Sequence, residues 1–218
     1  MRVGRCIGAE TLGTFLLVLF GPGAVMVDAW SGGRLGQVGI ALAFGGVVAA
    51  MMFVFGDVSG AHINPAVTIA QWTRGRLPGR LVAPYVAAQC VGATAASMSL
   101  RAILGTVGNS GATLPAIPVG RAFGVEVALS FVLMASIAAS GEPDRLRAAP
   151  WIVGLAVGLC ALVGGPLTGA SMNPARSLGP AVASGLWRAH WVYWLAPSSG
   201  MLVAVRVHDL LRRSAVTA

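Results

Sequence analysis

Apolar residues in this chain fall in long unbroken runs. They show neither the strict alternation of a strand nor the narrow stripe of a half-buried helix. Six runs stand out, at about 6–27, 36–55, 80–104, 121–140, 149–165 and 189–211. Each approaches the roughly 17–25 residues that cross a bilayer core as a helix. Backbone N–H and C=O groups cannot be left bare in lipid, and the dyad pattern of a barrel is missing. The runs therefore predict six transmembrane helices and an all-α membrane fold. The fifth run is the shortest, and its Gly154 and Gly158 form a small-xxx-small pair suited to close helix contact.

Between the runs, one polar pattern occurs twice. Ser59-Gly60-Ala61-His62-Ile63-Asn64-Pro65-Ala66-Val67-Thr68 returns as Thr168-Gly169-Ala170-Ser171-Met172-Asn173-Pro174-Ala175-Arg176-Ser177. Each copy follows the second span of a three-span half. Three is odd, so the second half enters the membrane inverted relative to the first. The halves cover approximately 1–108 and 116–218, and the Gly105–Gly120 stretch, with Pro115 and Pro118, joins them. The whole of 1–218 reads as a single transmembrane domain, because that linker is a loop and not a hinge. Duplicated, broken segments at matching positions point to a permeation site near the midplane.

Asn is a good N-cap and Pro is favoured at the first helical position, so each Asn-Pro-Ala predicts the start of a short helix. The run from Pro65 to about Thr73 spans roughly 14 Å, half a bilayer core, and the run from Pro174 to about Ala183 is similar. With inverted halves, one re-entrant half-helix enters from each face and their N-termini meet at the centre. Two positive dipole ends there disfavour cations. The amides of Asn64 and Asn173 can donate to the oxygen of a passing water. A water held by its oxygen points both hydrogens outward, which interrupts proton hopping. The carbonyls of Gly60, Ala61, His62 and Ile63, and of Gly169, Ser171 and Met172, are expected to line the lumen, where irregular backbone is tolerated.

Arg176 lies three residues past Asn173, on the same helix face and about 4.5 Å outward. The first copy has Val67 at the equivalent place. A charge so deep reads as functional, here a barrier to cations. Glu10 and Glu126 open the two halves at matching positions. They are expected to accept hydrogen bonds from backbone N–H groups of the re-entrant loops. His62 is expected to bond within its neighbouring loop.

Composition agrees with lipid as the solvent. The chain is 56% apolar and 10% charged, with mean hydropathy +0.78. Its net charge of +8 comes from 15 basic residues, all arginine. Most lie at span ends, so no basic face exists to track nucleic acid. Ten of them (Arg2, Arg5, Arg74, Arg76, Arg80, Arg145, Arg147, Arg206, Arg212 and Arg213) fall on one side, against Arg34, Arg101, Arg121 and Arg188 on the other. That bias predicts cytoplasmic termini. Glu10 inside the first run, without a convincing cleavage site, marks a retained span. Cys6, Cys90 and Cys160 read as small buried hydrophobes. No nucleophile–base or metal-ligand constellation appears, so neither an enzyme nor a cofactor is expected. A passive pore fits best. An ion-coupled transporter would need a cation site among the deep carboxylates, and a closed scaffold would need a plug.

The paired Asn-Pro-Ala boxes, the Glu opening each half, Arg176-Ser177 and the inverted six-span repeat together resemble the aquaporin, or major intrinsic protein, family over essentially the whole chain. The resemblance implies a homotetramer with one pore per subunit, in a plasma or inner membrane, passing water and small uncharged solutes. It also implies an outer constriction formed by Phe44, Ala161, Ala170 and Arg176. Strict water channels usually carry His at the second of these positions and often Thr or Cys at the third. Ala161 and Ala170 imply a wider aperture. Ser177, Ala181 and Tyr193-Trp194 are similar to the water-channel pattern. The Gly164–Met172 stretch is similar to nodulin-like intrinsic proteins and their bacterial relatives. Those relatives imply an alternative, a channel mainly for glycerol or metalloid hydroxides with low water flux.

Overall fold

The computed structural model describes residues 3–142 and 144–216. Arg2 lies outside the described residues, as does the side chain of Arg213. The described residues form eight α-helices and no strand. They are α1 (Val3–Trp30), α2 (Gly36–Ser59), α3 (Pro65–Thr73), α4 (Val82–Leu104), α5 (Val119–Ser140), α6 (Ala149–Thr168), α7 (Pro174–Ser184) and α8 (Val192–Val216). Helices α3 and α7 are the two half-helices, and the other six span.

Five helical segments are long and apolar enough to cross a membrane by length and composition, those built on α1, α2, α4, α5 and α6. The sixth span, α8, is 25 residues long, but its second half carries Arg206, His208, Asp209 and Arg212. These polar residues dilute its hydropathy. The helix begins at Val192, three residues later than the apolar run suggests, because residues 188–191 form a turn with Ala189 at φ 52°. Spans α2 and α6 are each longer than their apolar runs. They continue to the hydroxyl residues Ser59 and Thr168, and each ends at a left-handed glycine, Gly60 or Gly169.

Packing repeats with the sequence. Helix α1 lies against α4 and α2, while α5 lies against α8 and α6. The halves meet where α2 crosses α6. There a Cβ on Gly45 would sit 2.6 Å from the carbonyl oxygen of Gly154, and one on Gly154 would sit 2.7 Å from that of Gly45. Contacts that short are not made by real side chains, so glycine on both sides sets the helix separation. The small pair expected on α6 thus packs on a third glycine that its spacing did not reveal.

Candidate functional site

Each half-helix is built from its cap outward. Asn64 has extended backbone (φ −158°, ψ 121°), and its Oδ1 accepts from the N–H of Ala66 at 2.9 Å. Asn173 does the same (φ −151°, ψ 109°), accepting from Ala175 and Arg176 at 3.0 and 3.2 Å. Pro65 and Pro174 occupy the first helical turns, where a missing N–H costs nothing. With Oδ1 satisfied by its own helix, each Asn has Nδ2 left to donate. Asn64 Nδ2 donates to the carbonyl of Met172, and Asn173 Nδ2 to that of Ile63, both at 2.8 Å. One amide hydrogen on each remains, and both residues line the central cavity.

The loops before the caps hold strained backbone. Ala61, Ile63, Ala170 and Met172 have φ of 46°, 44°, 43° and 52°. A left-handed residue with a Cβ costs about 1–2 kcal/mol. Two buried carboxylates oppose that cost. Glu10 Oε1 accepts from Ser59 Oγ (2.7 Å) and the N–H of His62 (2.9 Å). Its Oε2 accepts from the N–H of Ile63 (2.6 Å) and from Gln89 Nε2 (2.7 Å). Glu126 Oε1 accepts from Thr168 Oγ1 (2.7 Å) and the N–H of Ser171 (2.8 Å), and its Oε2 from the N–H of Met172 (2.9 Å). His62 Nδ1 lies 3.2 Å from Thr68 Oγ1, one turn into its own half-helix.

Several partners escape a reading of the sequence. Tyr85 donates to the carbonyl of Ser59 (3.0 Å) and Tyr193 to that of Thr168 (2.7 Å), so the chain's two tyrosines take equivalent places. Ser59 and Thr168 head the two copies of the repeat, and that shared hydroxyl was a usable signal. Gln89, which also bonds Thr68 at 2.9 Å, left none.

Arg176 is buried, with Nη1 donating to the carbonyl of Gly111 at 3.0 Å. That carbonyl belongs to the linker between halves. Within it Gly108, Asn109 and Ser110 are all left-handed (φ 54–55°), which folds the chain back against α1. The guanidinium carbon stands 5.1 Å from the centre of the Phe44 ring, and Nε has no hydrogen-bond partner among the described residues.

Two cavities meet at this pair. The inner one, about 70 Å³, is lined by Gly60, Ala61, His62, Ile63, Asn64, Ala170, Ser171, Met172 and Asn173, with an apolar wall including Val48 and Val157. Each water needs about 10–15 Å³ of such space, so a short file fits. The outer one, about 300 Å³, is lined by Gln37, Gly111, Ala161, Gly165 and Gly169 among others. Phe44 and Arg176 line both cavities, Ala170 only the inner and Ala161 only the outer. The four residues expected at the constriction therefore sit at the junction. Gly169 lies on the outer side of it, apart from the other expected lining residues.

Comparison with known proteins gives this arrangement a family. The family model described as major intrinsic protein matches residues 1–208. Aquaporin NIP1-2 of Oryza sativa subsp. japonica is 42% identical over 97% of this chain and 73% of its own length. Aquaporin NIP1-1 of Zea mays is 41% identical over 94% of this chain and 73% of its own. The X-ray structure of the aquaglyceroporin from Plasmodium falciparum superposes with a TM-score of 0.85 at 25% identity, covering 95% of this chain and 96% of that one. The family match over nearly the whole chain, the identities near 40% and the shared fold agree: the chain belongs to the major intrinsic protein family of aquaporin channels.

Proposed function

We propose that this chain is a passive pore for water and small uncharged solutes, closed to ions and protons, whose outer constriction admits molecules of glycerol size. The observation that carries the reading is the junction itself. Phe44 and Arg176 face one another there, and the remaining two positions are alanines. The ring offers an apolar wall for a carbon backbone. The guanidinium offers N–H donors to hydroxyls, which replace water lost on entering the pore.

Ion exclusion is assigned to two elements in series. Arg176 acts at the constriction, and the N-termini of α3 and α7 act at the centre, where Asn64 and Asn173 orient water. The carbonyls of the two strained loops line the file, Glu10 and Glu126 brace those loops, and Pro65, Ala66, Pro174 and Ala175 set the half-helix starts. The halves, at about 1–108 and 116–218, act as one channel domain. Four copies assemble in a plasma or inner membrane, with the arginine-rich face and both termini in the cytoplasm.

An ion-coupled transporter would need a cation site at depth. The two deep carboxylates instead spend both oxygens on donors. Stopped-flow flux of water, glycerol and boric acid through proteoliposomes tests the reading. Glycerol is expected to pass, and Ala161→His to suppress it at least about tenfold while water stays within a few-fold. A channel that passes water but neither glycerol nor boric acid refutes the wide constriction. Appreciable glycerol with little water favours the solute-channel alternative, and saturable, ion-dependent flux the transporter.

A further inference from the structure

The outer cavity is lined by two polar side chains that the family's four-residue constriction does not use, Asn109 in the linker and Gln37 on a spanning helix. Gln37 stands in the first turn of α2, seven residues before Phe44 and so on the same face, two turns farther out. Its Nε2 donates to the carbonyl of Ala161 at 2.6 Å and lies 3.5 Å from that of Leu162. Pro166 has no N–H to give the Leu162 carbonyl four residues back, and the amide stands 3.5 Å from that open carbonyl while bonding its neighbour. Space for the amide comes from Gly165, where a Cβ would lie 2.2 Å from Gln37 Nε2.

This contact fixes which way the amide points. Ala161 O is an acceptor only, so the nitrogen must face it and the amide oxygen must face away. Among the described residues no donor reaches Oε1, and Gln37 lines the outer cavity together with Phe44, Ala161 and Arg176. The cavity therefore presents an open side-chain acceptor on the α2 side and the guanidinium donors of Arg176 on the α7 side, with Val25 and Ile40 in its apolar wall.

We propose that Gln37 is a fifth specificity-determining residue, an acceptor just outside the constriction that recognises hydroxyl-bearing solutes as they shed water. The proposal rests on the reading of the pore as open to small uncharged solutes. A polyol is matched at both ends: one hydroxyl donates to Gln37 Oε1, another accepts from Arg176, and the carbons lie on the apolar wall. By holding the Ala161 carbonyl, the same amide positions the α6 side of the aperture.

The test uses Gln37→Leu, which keeps the volume and removes both polar atoms, in proteoliposomes of equal channel density. Two quantities are measured: glycerol flux relative to water flux, and slowing of water flux by glycerol present on both sides at equal concentration. In Gln37→Leu the glycerol-to-water ratio is expected to fall about fivefold, the worth of one net hydrogen bond, and the slowing of water to weaken similarly. A role in bracing α6 alone lowers water and glycerol together and leaves the ratio unchanged, which overturns the proposal. If the unmodified channel passes no glycerol, the wide-pore reading falls, and the slowing of water still decides. Slowing present in the unmodified channel and lost in Gln37→Leu upholds the acceptor, while equal or absent slowing in both overturns it. Should Gln37→Leu assemble poorly, Gln37→Met carries the same measurements with the same two outcomes.

Discussion

Asn64 and Asn173 each hold the other half's loop: Asn64 Nδ2 bonds the Met172 carbonyl and Asn173 Nδ2 the Ile63 carbonyl, both at 2.8 Å. The two bonds cross the midplane in opposite directions, so neither re-entrant loop is completed by its own half. Asn173→Ala removes one crossing and also uncaps Ala175 and Arg176. Loss of the cap costs about 1 kcal/mol, and the Ile63 carbonyl left without its donor about 1–3 kcal/mol more. A clear drop in the thermal midpoint of the detergent-solubilised channel is expected. A midpoint within a degree of the unmodified protein would contradict the structural role.

The two carboxylates differ in how many donors they face. Glu10 faces four and Glu126 three. Glutamine keeps one acceptor oxygen, so its NH₂ must turn toward donors. At Glu126 it meets only the N–H of Met172, whereas at Glu10 either side presents two donors. Glu126→Gln is therefore expected to be milder than Glu10→Gln by about 1.5–3 kcal/mol, and alanine worse than glutamine at both. Thermal midpoints and water flux of the four variants check the order. Equal losses, with flux following protonation, would indicate a proton-linked role instead.

Arg176→Val copies the first repeat, which has Val67 in that place. It removes the outer charge and leaves both half-helix N-termini. Proton leak under an imposed potential, read with an entrapped pH dye, is expected to rise about tenfold or more, equivalent to about 1.4 kcal/mol of barrier. An assembled variant with unchanged leak would remove Arg176 from the barrier.

Gly21 backs the Phe44 ring. A Cβ there would lie 2.4 Å from a ring carbon, so Gly21→Ala must push the ring off its seat. Helix α1 itself gains from the alanine, by about 1 kcal/mol of propensity. The expected signature is a fold that survives and a glycerol-to-water ratio that changes. A variant with the ratio of the unmodified channel would show that the ring yields without moving the aperture.

His190, in the outer turn before α8, is held below the usual imidazole range by burial. Its Nε2 accepts from Trp194 Nε1 at 3.1 Å, which requires the neutral ring. The folded pKa is depressed, so the contribution is present above the unfolded value near 6.5 and is lost as pH falls below it. Acidification from pH 7 to 5 is expected to lower the thermal midpoint, and His190→Gln to flatten that dependence. An unchanged slope would place the sensitivity elsewhere.

The run lengths foretold the six spans, and Asn-Pro-Ala foretold both half-helix starts to the residue. These features are local: hydropathy and capping act within a few residues. Arg176 stood out by its place in the repeat, whereas Phe44, Ala161 and Ala170 were nameable only through the family resemblance, since nothing in their spacing brings α2, α6 and the second loop together. Gly111 and Gln37 were invisible. Gly111 acts through its backbone carbonyl, which any residue has, and depends on three left-handed residues in a stretch that reads as a connection. Gln37 matters because the Ala161 carbonyl that it bonds lies 124 positions later, on another helix. Such needs arise only once distant helices touch.

Glu10 has a consequence for synthesis. It enters the bilayer on the first helix, yet its partners Ser59, His62, Ile63 and Gln89 are made 49 to 79 residues later. An acidic side chain within the apolar run of a lone helix is disfavoured, by up to about 3 kcal/mol for a position at the helix centre. Ser59 and the loop after α2 supply three of the four donors, and the fourth, Gln89, comes only with α4. The ribosome therefore reads out a debt with the first span, and α1 settles into lipid only once the third arrives.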